Sequence, residues 1–177
     1  MRVSGEDPLL QFMPTLERDT KSMTIRIRPY IPTDKDFILS LVGRFSEFEL
    51  PVWRQMDDVD STNRVSLEQS MKQPEPDSAI FVAEEVSGTL AGFIHLQTQT
   101  DYFNGEKHGY ISDLAVDKSF EGRGIGRLLL ETAEDWARGK GYHLLTLYVF
   151  AGNTRAQRLY EKHGFSQEVL KYGKMIK

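Results

Sequence analysis

Ile111-Ser112-Asp113-Leu114-Ala115-Val116-Asp117-Lys118-Ser119-Phe120-Glu121-Gly122-Arg123-Gly124-Ile125-Gly126-Arg127-Leu128-Leu129-Leu130 is the stretch that decides the fold. It reads as a strand, a glycine-rich turn and a helix, in that order. Gly122, Gly124 and Gly126 fall within five residues, so the backbone can turn tightly enough for several N–H groups to converge on one point. The helix that follows aims its positive dipole end at the same point, and the segment becomes an anion site suited to a phosphate-bearing cofactor. Spacing excludes two common phosphate motifs. A P-loop requires Lys-Ser or Lys-Thr after its final glycine, where this chain has Arg127-Leu128, and the dinucleotide fingerprint requires a glycine where Arg127 stands.

Working outward, Ile125, Leu128, Leu129, Thr132, Ala133, Trp136 and Ala137 trace a helical stripe that must lie on a sheet. Gly139-Lys140-Gly141 ends that helix, and His143–Val149 is apolar and β-branched enough to predict a buried strand, completing a strand–helix–strand crossover. Upstream, Ala79–Glu85 and Leu90–Leu96 flank Ser87-Gly88 as a hairpin, and His108–Val116 returns as the strand that feeds the glycine turn. Thr24–Arg28 alternates as a first strand. Pro32-Thr33-Asp34 opens a helix carrying Phe37, Ile38, Leu41, Val42 and Phe45, and a second helix is expected over 61–72, stopped by Pro74 and Pro76. A last helix begins at Asn153, a good cap, and stops at Gly164; Phe165–Lys177 is expected to supply one or two closing strands.

Residues 1–22 are polar and without sustained periodicity, so they are set apart as an N-terminal extension to a domain over 23–177. An internal start at Met23 and an arm packed on a neighbouring copy, hence a homodimer, both stay open. A chain of 177 residues with 40% hydrophobic content suits one core. Net charge of -4 argues against nucleic acid as a partner. The absence of cysteine removes disulfides, thiolate metal sites and a cysteine nucleophile. Leu9–Met13 is too short for a membrane span or a signal core, so no membrane association is expected and the location expected is cytoplasmic. The histidines lack metal spacing and there is no Gly-x-Ser-x-Gly elbow, so neither a metal site nor a serine hydrolase is expected.

Gly124 and Gly126 resemble the central motif of the GNAT superfamily of acetyl-coenzyme A dependent N-acetyltransferases, Gln or Arg, two residues, Gly, one residue, Gly or Ala; Glu121 departs from it at the first position. Asn153–Phe165 resembles the second motif, Asn-x-x-Ala-x-x-Leu-Tyr followed by Gly-Phe, in the family's order. The resemblance covers roughly 24–177 and implies a mixed α/β fold, a mostly antiparallel sheet with a central splayed parallel strand pair flanked by helices. It implies that the cofactor's pantetheine arm pairs with Leu114, Ala115 and Val116. It further implies that Glu121, Gly122, Arg123, Gly124, Ile125, Gly126 and Arg127 surround the pyrophosphate, and that Asn153 and Arg155 belong to the same cofactor site. Tyr160, seven residues after Asn153 and so on the same helical face, falls near the sulfur as the catalytic candidate. The function implied is transfer of acetyl from acetyl-coenzyme A to a primary amine, of a small molecule or a peptide N-terminus, by direct attack in a ternary complex. The alternative is an acyl-coenzyme A binding sensor or interaction module of the same fold without turnover.

Many family members carry Glu directly before the Asp of this strand; here that position is Ser112, which cannot act as a base. Glu47, Glu49, Glu85, His95 and His108 are the remaining candidates, each with a plainer structural role available. Glu47, Glu49 and Trp53, in an acid- and aromatic-rich loop, together with Asp113, are the expected acceptor residues, because acids beside aromatics suit a cation. Glu121, a carboxylate beside a pyrophosphate, is expected to weaken binding unless Lys118, Arg123 or Arg127 neutralises it.

Overall fold

Two apolar layers sandwich one sheet, and the sheet parts at the strand that carries the glycine turn. The computed structural model describes residues 16–20 and 23–176. The strands are β1 Leu16–Thr20, β2 Met23–Pro29, β3 Ala79–Glu85, β4 Leu90–Thr100, β5 Lys107–Val116 and β6 Leu145–Leu147, and they lie side by side in that order. Pairing is antiparallel from β1 to β5 and parallel between β5 and β6. The helices are α1 Lys35–Ser40, α2 Met56–Lys72, α3 Ile125–Gly139 and α4 Thr154–Lys162.

One face of the sheet packs on α3, whose expected stripe is buried throughout, from Ile125 to Ala137, against Ile25, Phe81, Ile94 and Leu96. The opposite face packs on α1 and α2, where Ile38, Leu39 and Leu67 meet Val82, Phe93 and Ala115. Burying each of these large side chains contributes about 1.5–3 kcal/mol, so the stripe of α3 anchors the turn at its N-terminus.

The pairing of β4 with β5 slips between His95 and Leu96, so Asp113 faces His95, Ile111 faces Leu96, and Ser112 is the extra residue. Such a bulge reverses the inside–outside alternation of the bulged strand. Ile111 and Leu114, three apart, accordingly both pack toward α3, and Ala115 packs toward α1 and α2.

Several expectations are corrected. The strand expected over 143–149 is three residues long and only half-buried, with Tyr148 82% exposed, because β6 is a sheet edge that diverges from β5. No strand forms over 165–176. So short a β6 offers little ladder for a closing strand, and Val169, Leu170, Tyr172, Met175 and Ile176 stay exposed. The first helix is split: α1 ends at Ser40 and a 3-10 turn over Val42–Phe45 follows, with Gly43 a poor helix former at the break. The second helix starts five residues earlier than expected, where Asp57 and Asp58 favour the positive end of its dipole. Within the stretch set apart as an extension, Leu16–Thr20 pairs residue by residue with β2 as β1; the rest of 1–22 lies outside the described residues.

No helix among the described residues is long and apolar enough to cross a membrane.

Candidate functional site

The glycine turn is built in two steps. Asp117 first caps a 3-10 turn over Lys118–Phe120, its Oδ1 accepting from the Ser119 amide at 2.8 Å, and this drops the chain out of β5. Gly122 and Gly124 then take φ of +73° and +83°, in the left-handed region that side-chain-bearing residues avoid. Gly124 is the N-cap of α3 and no side chain caps the helix, so the first amides of α3 are left for a ligand. Gly126 lets α4 approach, because a Cβ there would stand 3.2 Å from Leu159.

Beside the turn the sheet opens. β6 registers only with Gly109, Tyr110 and Ile111, leaving the outer main-chain edge of Ser112–Val116 facing a cleft of about 1280 Å³. Leu114, Ala115 and Val116, the whole turn from Glu121 to Arg127, and Asn153, Arg155 and Tyr160 line that one cleft. The structure thus brings together every residue expected to hold the cofactor. An extended arm can pair with the strand edge while a pyrophosphate sits on the uncapped amides, so the site suits the family's cosubstrate, acetyl-coenzyme A.

Asn153 has both expected roles available: its Oδ1 accepts from the Ala156 amide at 3.1 Å, capping α4, and the residue lines the cleft. Tyr160 packs edge-on to Phe165, with ring centroids 5.8 Å apart. Burial, and then the neighbouring Asp113 and Tyr110, push its phenol up to about 12. Glu121 is neutralised, although by other residues than expected: Arg155 and Arg44 both pair with its carboxylate and hold it below the usual range. Arg127 instead lies along α3, its Nε donating to Glu131 at 2.8 Å, and Arg123 stacks over the Phe120 ring at 5.2 Å.

The facing wall comes from the segment between α1 and α2, through Arg44, Phe45, Glu47 and Phe48, with Asn63 of α2 and Phe150 beyond β6. Of the expected acceptor residues, Glu47 and Asp113 line the cleft. Glu49 and Trp53 do not: Glu49 presents its carbonyl to Gly152, and Trp53 packs on Gly173. Among the other base candidates, Glu85 belongs to the β3–β4 hairpin with Ser87, and His108 pairs with Thr146 at 3.1 Å; neither lines the cleft. Arg44 had no signal in the sequence, because its partner Glu121 is 77 positions away. Phe48 and Phe150, their tilted rings 5.5 Å apart, join segments equally remote.

The model of the acetyltransferase (GNAT) family matches residues 45–165, which is more than half of the chain and holds the turn, the open edge and α4. The chain belongs to the GNAT acetyltransferase family. Within the family, it is 38% identical over 89 residues to a mycothiol acetyltransferase of Propionibacterium freudenreichii, covering 50% of this chain and 28% of that protein. The chain spans about a quarter of the length of the mycothiol acetyltransferases it matches. An aminoglycoside N(6')-acetyltransferase of Stenotrophomonas maltophilia is 25% identical over 139 residues, covering 77% of this chain and 87% of that protein. A solved structure from Pyrococcus furiosus, described as a putative acetyl transferase, superimposes with a TM-score of 0.67 at 27% identity, covering 86% of this chain and 99% of that one.

Proposed function

We propose that this GNAT protein transfers an acetyl group from acetyl-coenzyme A to a primary amine of a small molecule or a peptide N-terminus, by direct attack with both substrates bound. The observation that carries the reading is the continuity of one cleft. The unpaired edge of β5 and the uncapped start of α3 share the cleft with Tyr160, and Glu47 stands on the facing wall. The relatives named as acetyltransferases of mycothiol and aminoglycoside substrates support the reaction class. In the proposed complex, main-chain groups of Leu114–Val116 would align the arm, the amides of Gly122–Arg127 would hold the pyrophosphate, and Tyr160 would hydrogen-bond the departing sulfur. With no cysteine available for an acyl-enzyme through sulfur, direct transfer is the simpler course.

Two measurements test it. Coenzyme A and its desulfo analogue should raise the melting temperature, in proportion to the logarithm of concentration over Kd, and NADH and ATP should do so far less. A panel of amines, amino acids, polyamines, aminoglycosides and peptides should include acceptors that release free thiol from acetyl-coenzyme A. Ser112, which carries no base, favours a second reading as an acyl-coenzyme A sensor. Thermal stabilisation without thiol release from any acceptor would establish that reading instead.

A further inference from the structure

An amine bound near neutral pH is an ammonium ion without a lone pair, so attack on a thioester requires a proton acceptor inside the cleft. Three carboxylates line it. Glu121 is paired with Arg44 and Arg155, and Glu47 with Arg44. Asp113 has a different partner: its Oδ2 accepts from Nδ1 of His95 at 2.9 Å, and its other oxygen takes no hydrogen bond among the described residues. A carboxylate only accepts, so Nδ1 carries the proton in this pair. His95 is 1% exposed, and the Asp113 side chain is 10% exposed at the cleft wall.

The β4–β5 bulge explains how this pair comes to face the acceptor. Ser112, taken up as the extra residue, leaves Asp113 directly opposite His95. Phe93 and Ala115, the neighbours two positions along each strand, pack toward α1 and α2, so His95 and Asp113 point to that side as well. That is the side on which the segment between α1 and α2 closes the cleft.

We propose that Asp113 takes the proton from the acceptor ammonium and that His95 is the positioning residue that fixes the Asp113 carboxylate, an inference resting on the acetyl-transfer reading above. An ammonium N–H bond breaks and its proton passes to the second oxygen of Asp113. The nitrogen lone pair then forms the bond to the acyl carbon, and the C–S bond breaks with its electron pair going to sulfur. A second nitrogen proton ends on the thiolate, giving amide and thiol, and Asp113 returns its proton to solvent. The acceptor is thereby a cationic primary amine. His95 is not the base itself, because it is buried behind Asp113 with Nδ1 committed to it. Tyr110 of β5 and Tyr160 of α4 feel the Asp113 charge, and Arg44, Glu47, Tyr148, Lys162 and His163 line the same cleft.

The test uses the full chain with the best acceptor of the amine panel, following thiol release as a function of pH together with the melting shift produced by coenzyme A. Asp113→Asn should lower kcat by about 10² to 10⁴-fold, the usual share of proton transfer, while the coenzyme A shift stays as in the wild type. His95→Leu should lower kcat by about 10²-fold, as expected for a misplaced reacting group, and move the acid limb of the kcat/KM profile. His95→Asn, whose amide N–H takes the place of Nδ1–H, should restore most of that loss. A wild-type rate in Asp113→Asn overturns the proposal alone. His95→Leu with a lowered melting temperature but unchanged kcat and pH profile would reduce His95 to packing and overturn its part. No thiol release by the wild type with any acceptor, while coenzyme A still stabilises it, overturns the acetyl-transfer reading and this inference with it.

Discussion

A phenol pushed up to about 12 is a poor proton donor to a thiolate whose conjugate acid is near ~8.5, and full transfer would run uphill by roughly 5 kcal/mol. In the proposed reaction Tyr160 would therefore act by donating a hydrogen bond to sulfur as charge develops, a contact worth most in the transition state. Tyr160→Phe should lower kcat by about 10²-fold with little change in coenzyme A affinity; a near-wild-type kcat would remove the hydroxyl from the chemistry. The same shift has a sign for stability. Because the folded-state value lies above the unfolded one near ~10, the contribution is intact below about pH 10 and is lost as pH rises toward about 12. Alkaline melting of Tyr160→Phe should accordingly be less steep than that of the wild type. Glu121 is a different case. Removing its negative charge leaves Arg44 and Arg155 facing the proposed pyrophosphate, so Glu121→Gln should tighten coenzyme A by about three- to tenfold at low salt, and the gain should fade within the reach of ionic screening as salt is added. Equal affinities at low salt would show that the two guanidinium groups do not reach the ligand.

At the scale of elements, Gly152 couples the two walls of the cleft. A Cβ on it would stand 2.0 Å from the Glu49 carbonyl oxygen, an overlap that can be relieved only by moving main chain. Gly152→Ala should displace the segment between α1 and α2 and raise KM for the amine more than Kd for coenzyme A, as titration of each substrate separately would reveal. An equal loss on both sides would mean that the β6–α4 connection had moved instead. This coupling also marks where the sequence stopped being legible. The stripe of α3, the hairpin of β3 and β4, the glycine turn and the Asn153–Tyr160 pair all follow from local spacing, and all are found where spacing puts them. The acceptor wall was legible only as a composition, acids among aromatics, because Arg44–Glu121, Phe48–Phe150 and Glu49–Gly152 join residues too far apart in the chain for periodicity to register. His95 was legible only as one of five base candidates and its pairing with Asp113 was not, since nothing local announces a bulge or the carboxylate it brings opposite. The edge β6 was misread for a related reason: apolar density signals burial only when both neighbours of a strand are present, and on one side β6 has an opening.

Across the whole molecule, the network that ties the early strands together is separate from the cleft. Arg28 reaches Asp34 at 2.7 Å and Glu84 at 3.0 Å, and Arg26 joins Glu84 at 2.5 Å, linking β2, β3 and the turn before α1. These partners, Arg28 foremost, hold Glu84 below its usual range, so its contribution to stability is present above the unfolded value near ~4.3 and is lost as pH falls through the folded one. Glu84→Gln leaves Arg28 still paired with Asp34 and Arg26 open to solvent, so it should destabilise by about 1 kcal/mol and flatten the acid side of the melting profile. The coenzyme A shift should be unaffected; a changed shift would show that stability and ligand binding share this network.

The open edge of β5 carries a consequence for how such proteins diverge. Leu114, Ala115 and Val116 answer with their side chains to two hydrophobic layers, and of their main-chain groups only those not paired with β4 look into the gap. Substitutions there are screened for volume and never for the identity of the guest, so an alphabet of residues at these three positions records packing history and stays mute about what the gap receives. Main-chain recognition of this kind can be inherited unchanged beneath shifting letters, and in the proposed reaction the opposite wall, made of Arg44, Phe48 and Asn63, would be where side chains meet the acceptor.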